Sequence, residues 1–62
     1  MSTYKLFYVR GYSHRKNECT RTLITGTDEA DVKEQFSDHQ PDHKVQLVQL
    51  IGWLDNDIYM EI

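Results

Sequence analysis

Only one stretch of this chain has the make-up of a helix, and it holds just two large apolar residues. In T-D-E-A-D-V-K-E-Q-F, starting near residue 27 or 28, Val32 and Phe36 are i,i+4 neighbours on a single stripe. Ala30 lies well off that stripe. Thr27 or Asp28 can cap the start with a side-chain oxygen, and Asp28, Glu29 and Asp31 suit the positive end of the helix dipole. Pro41 biases Gln40 away from the helical region, so the helix should stop by Gln40. A seam this thin covers little, and the rest of the core has to come from strands.

Four segments read as strands. Residues 3–12, T-Y-K-L-F-Y-V-R-G-Y, are rich in aromatic and β-branched types. One parity carries Tyr4, Leu6, Tyr8, Arg10 and Tyr12; the other carries Lys5, Phe7 and Val9. Both sides therefore hold large apolar bodies, as in an interior strand. Residues 13–18 read as a turn with Asn17 at positive φ, too long for a two-residue hairpin. Residues 19–25 form a Thr-rich second strand. Residues 44–54, K-V-Q-L-V-Q-L-I-G-W-L, form a long third strand. By strict alternation Val45, Leu47, Ile51 and Trp53 share one side, and Val48, Leu50 and Leu54 the other; Gly52 marks a bulge or bend. Asp55-Asn56-Asp57 reads as a turn into a short fourth strand at 58–62.

The expected fold is α+β, in the order β-β-α-β-β, as one domain over residues 1–62. Alternating directions give a four-stranded antiparallel sheet of order 2-1-3-4 with the helix packed on one face. That order puts the doubly apolar first and third strands in the middle. The rival arrangements pair the third strand parallel to the second, or swap the third and fourth strands between subunits.

One helix covers one side only. With Phe7 and Val9 turned towards Val32 and Phe36, the other side shows Tyr4, Leu6, Tyr8 and Tyr12, joined from the third strand by Trp53. An apolar patch of that kind marks a binding surface, and Tyr and Trp suit it because they bury area and keep a polar handle. The expected function is non-catalytic protein–protein interaction through this open aromatic face or an edge. The chain would be a homodimer, or a regulator or inhibitor of a larger partner; self-stacking would also relieve the small size. A chain of 62 residues has a small core, and its single cysteine excludes an internal disulfide.

Nucleic-acid binding is the alternative. Tyr4 and Tyr8 beside Lys5 and Arg10 resemble a base-stacking platform, and Arg15, Lys16 and Arg21 can reach phosphate. The net charge of −3 opposes it. Five Lys and Arg face only Glu18 in residues 1–26, a balance of +4, whereas Lys33 and Lys44 face nine acids in residues 27–62, a balance of −7. A third reading makes Asp28, Glu29, Asp31, Glu34, Asp38 and Asp42 an acidic DNA-mimic surface.

Enzymatic chemistry finds little footing. Cys19 with His14 is the one Cys-His pair, a strand-start cysteine is ordinarily a small buried hydrophobe, and no nucleotide or nucleophile motif occurs. The loop D-H-Q-P-D-H, residues 38–43, holds the weak metal candidates His39 and His43, but Pro41 interrupts the helix that would align them. No cofactor is expected. No apolar run approaches a membrane span and no signal-peptide layout is present, so the expected location is cytoplasmic. A small accessory protein of phage or plasmid kind is a fold-level association.

Overall fold

The computed structural model describes residues 3–62. Strands β1 (Tyr4–Ser13) and β2 (Glu18–Gly26) form a hairpin, helix α1 (Glu29–His39) follows, and β3 (Lys44–Leu54) and β4 (Tyr59–Glu61) complete the sheet. The hairpin turns through four residues, with Asn17 at φ 52° as its left-handed position. Asp28 caps α1, its side chain accepting from Asp31 N–H at 2.8 Å, while the Asp31 carboxylate reaches back to Thr27 N–H at 2.9 Å. The helix closes where Gln40 N–H bonds Phe36 C=O at 2.8 Å, one residue before Pro41.

The sheet is antiparallel throughout, with α1 on one side, as expected. Its order is β3-β1-β2-β4. β1 sits between β2 and β3, but β4 pairs with β2 and not, as expected, with β3. The anchor is Thr25, at the end of β2. Its hydroxyl bonds the Asp57 carboxylate and accepts from Ile58 N–H at 2.8 Å, and its own N–H bonds Ile58 C=O at 3.1 Å. Residues 55–58 thus do not close a hairpin. They carry the chain past the ends of β1 and β2 to the far edge, and β3 is left with one edge unpaired.

A second departure lies inside β3. Its register against β1 slips twice, so that Gln46 and Ile51 have no partner of their own. Each bulge shifts the alternation by one residue. Val45, Val48, Leu50 and Trp53 then fall opposite Gly11, Val9, Phe7 and Lys5, on the helix side; Leu47, Gln49, Gly52 and Leu54 fall on the other.

The core lies between sheet and helix. Phe7, Val9, Ile24, Val32 and Phe36 are buried, and Val45, Val48 and Tyr59 pack around them. Phe7 and Val9 do face Val32 and Phe36. The Phe36 ring lies over Gly11, in the space that a β-carbon there would need. Beside it, buried His43 meets the ring edge-on at 6.0 Å and bonds Thr20 Oγ1 through Nε2 at 2.9 Å.

Candidate binding face

The side of the sheet opposite α1 can be followed row by row, because residues directly opposite on antiparallel strands share a side. Tyr4 pairs with Leu54. Leu6 lies between Gly52 and Thr25. Tyr8 lies between Gln49 and Leu23, and Leu23 in turn faces Met60. Arg10 lies between Leu47 and Arg21, and Tyr12 between Lys44 and Cys19. Ile62 N–H bonds Arg21 C=O at 2.9 Å and extends the Arg10 row outward. Among the described residues, no helix or strand packs on this face.

Antiparallel sheets with one wet side usually present alternating polar residues there. This face presents Tyr4, Leu6, Tyr8, Tyr12 and Leu23 half-buried by their neighbours, with Leu47 and Met60 more open. Burial of Phe7 and Val9 on the other side shows why the sequence looked doubly apolar: one set of side chains makes the core, and the other lies on a side that no helix or strand covers.

Four of the five residues expected on the face, Tyr4, Leu6, Tyr8 and Tyr12, are gathered there. Trp53 is a correction. The Ile51 bulge turns it to the side of Lys5, where it is 61% exposed. Leu47 lies there too, as the parity it shares with Trp53 implied, while Leu23, Leu54 and Met60 join the face unanticipated. For β3 the signal was Gly52, which flagged the irregularity but not the residue displaced.

The charges sort by side. Arg10 and Arg21 are directly opposed across β1 and β2, an arrangement that costs stability unless something compensates it. Lys44 shares their side one row away, and Arg15 and Lys16 stand in the adjoining hairpin turn. No acidic residue of β1–β4 falls on this side. Glu18 and Glu61 face the other way, opposite Ser13 and Thr22, and the remaining acids lie in α1 and the loops. Of the basic residues considered for nucleic acid, Arg10 and Arg21 therefore meet on the face, Arg15 and Lys16 flank its end, and Lys5 lies on the opposite side. The one ion pair among the described residues, Lys33 with Glu29 at 3.8 Å, is within α1.

The other candidates are dispersed. Cys19 is exposed, not buried as a strand-start cysteine was expected to be, and His14 turns edge-on to Tyr12 at 4.9 Å. Tyr12 also donates to Asn17 Oδ1, which ties the face to its turn. His39 and His43 part company. His39 stacks on Tyr59 at 3.9 Å with its Nδ1 3.0 Å from Gln35 O, while His43 turns inward to Thr20. No group of three metal-ligating side chains gathers among the described residues. A groove of about 270 Å³ between α1 and β3 is lined by Glu29, Lys33 and residues 45–48, with no Ser, Thr, Cys or His among them. Among the described residues, no helix is long and apolar enough to cross a membrane.

Tyr59 titrates unusually. Burial pushes its phenol above the ordinary value; the neighbouring Thr22 hydroxyl opposes the rise and the Glu61 carboxylate adds to it. Thr22 and Tyr59 approach without closing a hydrogen bond of normal geometry, and both hydroxyls are buried without a partner.

Comparison with family models, with curated proteins and with solved structures found no match.

Proposed function

We propose that this chain is a non-catalytic binding protein that docks a carboxylate-bearing protein surface on the open face of its sheet. One observation carries the reading: the uncovered side combines tyrosines and aliphatic residues with the Arg10–Arg21 pair, and no strand places an acid on it. Apolar contacts supply affinity, and a carboxylate between the two guanidinium groups relieves their repulsion and fixes orientation. A second copy stacked face to face would instead bring four arginines together, which favours a different protein as the partner.

Nucleic acid is the second reading, favoured by Tyr8 and Tyr12 on either side of Arg10 along β1. The aliphatic half of the face, Leu6, Leu23, Leu54 and Met60, offers bases little and a protein much. The acidic-mimic reading draws less support. Asp28 and Asp31 are spent on the cap and Glu29 pairs with Lys33, which leaves a short row for a duplex that carries one charge per about 1.7 Å.

The test is affinity capture from host extract with the wild-type chain, an Arg10→Glu/Arg21→Glu variant and a Glu34→Lys control on α1. The reading requires a captured protein that survives nuclease, is lost with the arginine variant and is kept by the control. Capture that depends on nuclease-sensitive material selects the nucleic-acid reading. Capture that ignores Arg10 and Arg21 refutes both.

A further inference from the structure

β3 is the longest strand, and among the described residues nothing pairs with its outer edge. Such an edge offers a row of free N–H and C=O groups to any extended chain, and proteins usually blunt it with charge, proline, brevity or bulges, of which β3 has only the bulges. β3 has 11 residues, no proline, and a single charge, Lys44, at its first position. Its side chains are exposed where they should be guarded. Leu47, Leu50, Ile51 and Trp53 are 38%, 43%, 50% and 61% exposed, and of the large exposed hydrophobics only Met60 and Ile62 lie elsewhere. These four point to both sides of the sheet, so no layer stacked on one face would cover them. A neighbour in the plane of the sheet would.

We propose that two copies pair edge to edge through β3, antiparallel, into one continuous eight-stranded sheet. Charge selects the occupant and the direction. An uncharged apolar edge is complementary to itself, and antiparallel pairing sets the two Lys44 residues at opposite ends, where parallel pairing would bring them together. The regular segment between the bulges, residues 47–50, is where the new ladder forms. The bulges twist the edge and restrict which strand fits it, which favours a matching copy over an arbitrary peptide. Pairing would also add burial to a core of five buried apolar residues. The seam is separate from Arg10 and Arg21, and the proposal stands whether or not the open face binds an acidic protein.

Sedimentation equilibrium on the full chain tests it, with amide hydrogen exchange read on the same samples. The wild type is expected at twice the 7.4 kDa chain mass at micromolar concentration, with protection of residues 47–50 that grows with concentration. Ile51→Lys, at a position exposed in the single chain, is expected at one chain mass with unchanged far-UV circular dichroism. Arg10→Glu/Arg21→Glu is expected to remain at two chain masses. A wild type that stays at one chain mass up to millimolar concentration overturns the proposal. So does a dimer that persists in Ile51→Lys, or one that the arginine variant dissolves.

Discussion

Single residues decide how closely α1 approaches the sheet. Gly11 exists for Phe36: a methyl group there overlaps the ring, which is buried and has no room to retreat. Gly11→Ala should cost about 1–3 kcal/mol, the usual penalty of overpacking, read as a lower urea midpoint at unchanged slope. Thr20 holds the one hydrogen bond that the His43 ring makes, since its Nδ1 is buried without a partner. Thr20→Val keeps the shape and strands the ring, and should lower stability by about 1–3 kcal/mol in the same measurement. Tyr59 behaves in the opposite sense. Its raised folded value means that the native state holds a proton longer than the unfolded chain does. Its contribution is complete below the unfolded phenol value near 10 and is lost as pH climbs through the folded one. Tyr59→Phe removes an unpartnered buried hydroxyl, so it should match or exceed the wild type in melting temperature at neutral pH. It should also lose less stability above about pH 10. None of these roles was legible in the sequence. Gly11, Thr20 and His43 lie 9 to 32 residues apart there, and only the closed fold joins them.

At the scale of elements, local signals were reliable and long-range pairing was not. The Asp28 cap, the stop before Pro41, the left-handed Asn17 and all five elements follow from short-range chemistry that a residue carries with it. Asp28→Ala should therefore cost about 1 kcal/mol by thermal or urea unfolding, because the cap bond is local and exposed. The side assignment of β1 was also readable, since its alternation is unbroken. β3 defeated the same reasoning because each of two bulges reversed the parity, and Trp53 went to the wrong side as a result. β4 defeated it differently. The D-N-D turn reads as a hairpin, but the Thr25 hydroxyl captures residues 57 and 58 and draws β4 to the far edge. A threonine 32 residues upstream leaves no mark on that turn.

The whole molecule is elongated, about 42 Å by 17 Å by 15 Å, with two unlike sides. One side carries the helix and most of the acids; the other carries tyrosines, aliphatic residues and three basic side chains. The sequence showed the two charge halves, +4 and −7, and the fold converts them into opposite surfaces, because the basic half builds the β1–β2 hairpin and the acidic half supplies α1. A net charge of −3 conceals this polarity. Long-range steering would bring the basic side of the molecule towards a negative partner, and the rate should fall with added salt. With a partner in hand, doubling the ionic strength should slow association more than it speeds dissociation.

The claim that the uncovered face is the working surface is tested most directly by the capture comparison of the wild type with Arg10→Glu/Arg21→Glu. Both positions are exposed, and two opposed glutamates repel much as two opposed arginines do, so the variant should fold with a melting curve unchanged within about 0.5 kcal/mol. The account predicts a nuclease-resistant protein partner held by the wild type and by Glu34→Lys and released by the arginine variant. The same partner held equally by all three would contradict it.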